Sequence, residues 1–238
     1  MINATDSKGT FYILNKKDRT PIIFIHGVGL DHSIWDPQIN EFDNTVLIYD
    51  ILGHGKTPLN KNDLSFDDFS DQIINLIDEL KFNKVHLVGF SIGSLIARNF
   101  ATRFNNRLAS LTLLCSIFNR SDKEQKIVND RFEQTKKDHK LTKDALKRWF
   151  TEDFLNKNPD ISDKIFTILQ NNNMNNFIKI YSLFVKHQDN EKFENINTKT
   201  LVITGEGDVG STPEMSINLG KKIKNSVVKI IPKGKHLC

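Results

Sequence analysis

Seven short apolar runs recur along the chain: GTFYIL, PIIFI, TVLIY, KVHLV, LTLLC, TLVIT and VVKII. Each is too short for a buried helix, rich in branched residues and bounded by turn formers, a pattern that favours strands buried on both faces. Segments of helical period separate several of them. Between TVLIY and KVHLV, Phe69, Ile73, Leu76, Ile77 and Leu80 fall on one stripe, and Ser65 with Asp68 makes a capping-box pattern at its start. After KVHLV, Ile92, Leu95, Ile96 and Phe100 repeat that period. Strand and helix therefore alternate, which implies an α/β fold with a mostly parallel central sheet flanked by helices.

One region breaks the rhythm. From about Phe118 to Phe193 no strand-like run occurs and the composition becomes strongly charged. Leu146, Trp149 and Phe150 form one helical stripe there, and Phe177, Ile180, Tyr181 and Phe184 form another. This reads as a helical cap insertion over one end of the sheet, with residues 1–117 and 194–238 building the core and 118–193 the insertion. The stretch NNNMNN at 171–176 reads as a polar loop between two of its helices.

A chain of 238 residues can bury one sizeable core plus a modest insertion. Its 33 Lys and Arg are interspersed with 29 Asp and Glu, so the net charge of +4 forms no basic stripe and no nucleic-acid partner is expected. No run of about 18 apolar residues occurs, and MINATDSKG holds no apolar export segment. The expectation is a cytoplasmic protein without a membrane partner. Cys115 and Cys238 are far apart and lack metal-type spacing, and Cys115, in LTLLCS, reads as a buried reduced thiol.

The chemistry concentrates where predicted strands end. GFSIG, residues 89–93, sets Ser91 between Gly89 and Gly93 at a strand-to-helix corner. Small flanking residues let strand and helix pack closely around such a strained turn, and the turn points the Ile92 N–H, at the positive end of the following helix, into the site. FIHGVG, residues 24–29, follows PIIFI and offers the Val28 N–H as a second donor for an oxyanion. His26 reads as a brace for that loop. In IYDILGHGKT, Asp50 and His54 could pass as an acid and a base, but the segment reads better as a loop shaping the pocket wall.

Seven histidines are present, and a general base belongs on a loop at the strand ends. His86 lies inside a strand, while His139 and His187 lie in the insertion. TLVITGEGD offers Glu206 and Asp208 after one strand, and VVKIIPKGKHLC presents His236 after the next. The chain order Ser91, Asp208, His236 follows, and His236 is the one histidine beyond that acid. Trp35, Phe90, Trp149 and Phe184 are candidates for an apolar pocket, with core packing as the competing fate of each.

HGVG, DILGHGKT, GFSIG, GEGD and KGKH, in this order and over nearly the whole chain, resemble the α/β-hydrolase superfamily in its compact cap-bearing esterase and lactonase branch. The resemblance implies Ser91 as nucleophile, His236 as base, Asp208 as its orienting acid, and the Val28 and Ile92 N–H groups as oxyanion donors. It implies hydrolysis of a small-molecule ester or lactone without cofactor or metal, by a monomer or homodimer. Thioester or carbon–carbon bond cleavage on the same site is the first alternative, and a non-catalytic ligand-binding receptor the second. A serine at 91 argues against dehalogenase and epoxide-hydrolase chemistry, where the family places aspartate.

Two departures stand out. Ser94 occupies a position where the family often has a further glycine, which is expected to alter helix packing only. The family continues past its histidine into a closing helix, whereas this chain stops two residues after His236. Uncovered sheet surface and a base on a frayed terminus are then expected to lower stability and impair turnover of the 238-residue form. Comparable melting and turnover in a version carrying a native C-terminal extension would contradict that expectation.

Overall fold

The computed structural model describes residues 1–237; Cys238 lies outside the described residues. Eight strands form one sheet: β1 (Ile2–Thr5), β2 (Phe11–Asn15), β3 (Arg19–Ile25), β4 (Asn44–Tyr49), β5 (Val85–Phe90), β6 (Leu108–Leu114), β7 (Thr200–Gly205) and β8 (Ser226–Ile231). Their order is β1-β2-β4-β3-β5-β6-β7-β8. β1 and β2 run antiparallel at one edge, and every pairing from β4 to β8 is parallel. Each apolar run of the sequence became a strand. β1 was not anticipated, because INAT carries a single large apolar residue, Ile2, and that residue is exposed.

Burial on both faces explains the unbroken apolar runs. Along β3 and β4, Ile23, Ile25, Leu47 and Tyr49 enter one core cluster, while Ile22, Phe24, Val46 and Ile48 enter the other. The first cluster is covered by α1 (Phe66–Glu79), α2 (Ile92–Phe104) and α8 (Pro213–Lys222). Phe69, Ile73, Leu76 and Ile77 of α1 are buried as their spacing predicted, and the Ser65 N–H donates to Asp68 Oδ2 at 2.8 Å.

Between β6 and β7 lie five helices: α3 (Asp122–Asp138), α4 (Asp144–Trp149), α5 (Glu152–Lys157), α6 (Pro159–Gln170) and α7 (Met174–Val185). Val128 and Phe132 of α3 pack on Phe177, Tyr181 and Val185 of α7 in a small core of their own. Part of the expected loop at 171–176 is helix. Met174, Asn175 and Asn176 open α7, because Asn173 caps it by accepting the Asn176 N–H at 3.2 Å.

A fully buried arginine ties α2 to the segment before β7. Arg98 donates to the Ile117 carbonyl at 2.8 Å and pairs with Asp189 at 2.6 Å and Glu191 at 2.7 Å. Burial alone would raise the Asp189 pKa, but the His187 hydrogen bond and the Arg98 charge outweigh it and hold the carboxyl below its ordinary value. Arg98→Met leaves two half-buried carboxylates with only His187 beside them, and the expected loss is about 3 kcal/mol in urea unfolding at neutral pH. Both carboxyls have lowered native pKa values, so this contribution is present above the ordinary carboxylate range and lost as pH falls below it. The gap between wild type and variant should therefore narrow in acid. A gap below about 1 kcal/mol at neutral pH would contradict the assignment.

Candidate active site

The corner between β5 and α2 places Ser91 in a conformation that few side chains adopt, φ 55° and ψ −119°. Its backbone is held on both sides: the Ser91 N–H donates to the Leu114 carbonyl at 2.9 Å, and the Ser91 carbonyl accepts from the Ser94 N–H at 2.9 Å. Ser94 Oγ adds a bond to that carbonyl at 2.5 Å, so the serine in place of a further glycine fastens the corner. The two flanking glycines are required by close approach. A Cβ on Gly89 would stand 2.1 Å from the Gly93 carbonyl oxygen, and one on Gly93 would stand 2.6 Å from that of Ile25.

His236 and Asp208 meet as their chain order predicted. Nδ1 of His236 lies 2.7 Å from Asp208 Oδ2, and Oδ1 accepts the N–H groups of Gly210 at 2.8 Å and Ser211 at 3.0 Å. Burial raises the Asp208 pKa, but the charge and hydrogen bond of His236 and the two backbone donors more than offset it. The carboxyl is held below its ordinary value and stays ionised. Glu206, the other acid of that loop, accepts the Lys233 N–H at 2.9 Å and takes no part in this pairing. His236 is also flanked by the rings of Phe90 and Trp149, at 5.0 and 6.3 Å between centroids, and the next residue, Leu237, donates to the Trp149 carbonyl at 2.9 Å. That bond links the segment after β8 to α4.

Ser91, Asp208 and His236 line one cavity of about 340 Å³, together with Val28 and Gly27. Among the described residues the Ser91 hydroxyl makes no hydrogen bond, to His236 or to any other group. Nor does the Val28 or Ile92 N–H have an acceptor in the protein among the described residues. Both are backbone donors at the serine corner and the loop facing it. Asn172 positions that loop by donating to the Gly29 carbonyl at 2.8 Å, a role no sequence pattern signalled.

Three further histidines near the site, His26, His54 and His32, act as supports. His26 Nδ1 lies 2.8 Å from the Gly27 carbonyl and its Nε2 accepts the Ile51 N–H at 3.1 Å, so it braces the loop as expected. His54 accepts the Gly29 N–H at 2.9 Å, and burial with the nearby His26 lowers its pKa to about 3. Asp50 pairs with His32 at 2.7 Å rather than with His54, and its carboxylate also accepts the N–H groups of His32 and Lys56. Of the four aromatic candidates, Phe90, Trp149 and Phe184 line the cavity. Trp35 instead packs in the core against Phe24, 4.8 Å between ring centroids.

Two groups of side chains bring metal-type donors within 4.8 Å of one another: Cys115 with Asp208 and His236, and His187 with Asp189 and Glu191. In the first, Asp208 and His236 already bond each other and the buried Cys115 thiol donates to the His236 carbonyl at 3.1 Å. In the second, Arg98 already supplies the cation. No helix among the described residues is long and apolar enough to cross a membrane.

A family model described as alpha/beta hydrolase fold matches residues 20–238. The (E)-2-((N-methylformamido)methylene)succinate hydrolase of Acinetobacter baylyi is 28% identical over 232 residues, covering 96% of this chain and 88% of that protein. The 3-oxoadipate enol-lactonase 1 of the same organism is 25% identical, covering 89% of this chain and 80% of its own. Among solved structures, a hydrolase from Pseudomonas aeruginosa superposes with a TM-score of 0.87 at 18% identity, covering 99% of this chain and 91% of that one.

Proposed function

Because the chain belongs to the alpha/beta hydrolase fold family, we propose that it is a serine hydrolase cleaving a carboxylic ester or lactone of a small molecule. The observation that carries this reading is one cavity lined by a serine on a strained corner and by a histidine bonded at 2.7 Å to a buried carboxylate. Of two relatives' names, one, an enol-lactonase, points to a lactone; the other, a hydrolase of an N-methylformamido succinate, supports hydrolysis alone.

In this mechanism Ser91 attacks the carbonyl carbon as His236 takes its proton. Asp208 accepts the Nδ1–H, which leaves Nε2 as the basic nitrogen. The oxyanion of the tetrahedral intermediate rests on the Val28 and Ile92 N–H groups, which have no competing acceptor among the described residues. His236 then protonates the leaving alkoxide, and water repeats the sequence on the acyl-enzyme. The insertion at 118–193 acts as a cap whose inner wall selects the substrate.

A fluorophosphonate probe tests the nucleophile directly. Stoichiometric phosphonylation mapped to Ser91 is expected, together with turnover of members of a graded panel of esters and lactones. An unlabelled Ser91 in folded protein would favour the receptor reading instead. Thioesters in the same panel separate the remaining chemistry.

A further inference from the structure

Three arginines on the helical wall of the cavity take no part in that mechanism. Arg120 lies between β6 and α3, Arg131 on α3 and Arg148 on α4; all three are half-buried and line the cavity that Ser91 and His236 line. Among the described residues none of them has a carboxylate within ion-pair distance. Arg120 is oriented by bonds to the Phe184 and Val185 carbonyls at 3.1 and 3.3 Å and by the Phe184 ring, 4.5 Å away. Arg131 reaches the buried Tyr181 hydroxyl, and Tyr181 is close enough to feel all three guanidinium charges.

These cations also feel one another. Burial lowers the pKa of Arg120 to about 10, against the opposing charges of Asp189 and Glu124 and with a small addition from Arg131. Burial and then the charge of Arg131 lower that of Arg148, and both remain charged at neutral pH. The acids near these arginines are committed or peripheral. Asp189, whose charge reaches Arg120, is paired with Arg98 at 2.6 Å. Glu124 caps α3 by accepting the Ser121 N–H and hydroxyl at 2.8 and 2.7 Å. Asp144 is exposed beside Lys147 at 3.8 Å, and exposed Asp138 accepts from Gln134 at 2.8 Å. Asp208 faces His236, and Lys140 at the rim adds a further positive charge. Like charges gathered in a half-buried wall are costly unless a ligand supplies the opposite sign, and guanidinium groups match carboxylate geometry.

We propose that Arg120, Arg131 and Arg148 form a carboxylate-binding subsite, so that the molecule cleaved at Ser91 carries a free carboxylate remote from its ester or lactone bond. The proposal rests on the serine-hydrolase reading for the word cleaved, but not for the binding of the anion.

Two p-nitrophenyl esters of equal acyl length test it, the neutral pentanoate and the hemiglutarate with its terminal carboxylate. In wild type, kcat/KM for the hemiglutarate should exceed that for the pentanoate by about tenfold or more. The ratio should fall towards one in Arg131→Gln and in Arg148→Gln, and Arg131→Lys should restore part of it. Lys126→Gln, on an exposed α3 residue outside the cavity, should keep the wild-type ratio. Glutarate binding to Ser91→Ala, measured by calorimetry, supplies an arm that needs no turnover; it should weaken with added salt and in the double variants with R131Q or R148Q. If neither ester is cleaved, the hydrolase reading fails and the glutarate arm alone decides the subsite. A wild-type ratio near one, or glutarate binding that is absent or indifferent to both arginine variants, would overturn the proposal.

Discussion

Ser91→Ala is expected to lower kcat for ester hydrolysis by about 10⁵–10⁶-fold while leaving the fold intact. In the proposed mechanism the size follows from removing the nucleophile: what would remain is binding and oxyanion stabilisation, with no proton for His236 to take. The structural neutrality follows from the local bonding. Everything that fastens the corner at residue 91 is backbone: its N–H to Leu114, and its carbonyl to the N–H and hydroxyl of Ser94. The hydroxyl itself makes no hydrogen bond among the described residues, so alanine removes no internal partner. Alanine also keeps the Cβ that sits at φ 55°, and the melting temperature should stay close to wild type or rise. Turnover and melting measured on one preparation check both halves. Retained activity above about a hundredth of wild type would move the nucleophile elsewhere.

The central strands were legible because parallel strands buried on both faces leave an unbroken apolar record, as PIIFI and TVLIY do. Edge and surface elements leave a thinner one. β1 offers only Ile2, and α8 buries only Met215 and Leu219 among its large apolar residues, so neither stood out. The meeting of Asp208 with His236 was legible for a topological reason. β7 and β8 are parallel neighbours, so the loops at their C-terminal ends must lie side by side.

Other parts depended on tertiary packing that spacing cannot carry. Asp50 was weighed with His54, four residues on, yet its partner is His32, brought in by the loop after β3. Charge in the insertion was visible as composition but not as direction. Arg120, Arg131 and Arg148 sit among many exposed lysines and acids, and only the tertiary packing of the insertion brings all three to one cavity. Cys115 was read as a buried thiol, and it is one; nothing in LTLLCS placed it beneath the His236 carbonyl.

Asp208→Asn carries the second large effect, about 10⁴-fold in kcat by the logic of a Ser-His-Asp group. The two oxygens of Asp208 have different duties: Oδ1 accepts the N–H groups of Gly210 and Ser211, while Oδ2 faces His236 Nδ1. An asparagine must keep its carbonyl oxygen towards the two backbone donors, since its amide nitrogen cannot accept them. The amide N–H then points at Nδ1 and demands an acceptor there. The imidazole proton moves to Nε2, the nitrogen that the proposed mechanism needs free to take the Ser91 proton, so the proposed base would be lost without loss of shape. Stability separates this from simple misfolding. The native Asp208 pKa is lowered, so the carboxylate contributes stability above its ordinary pKa and loses it as pH falls through the native value. Asparagine has no such titration, and the stability difference between the two proteins should shrink from neutral pH to about pH 3. A variant that melts near wild type at neutral pH yet turns over within tenfold of it would remove Asp208 from the orienting role and leave Glu206 as the acid to test.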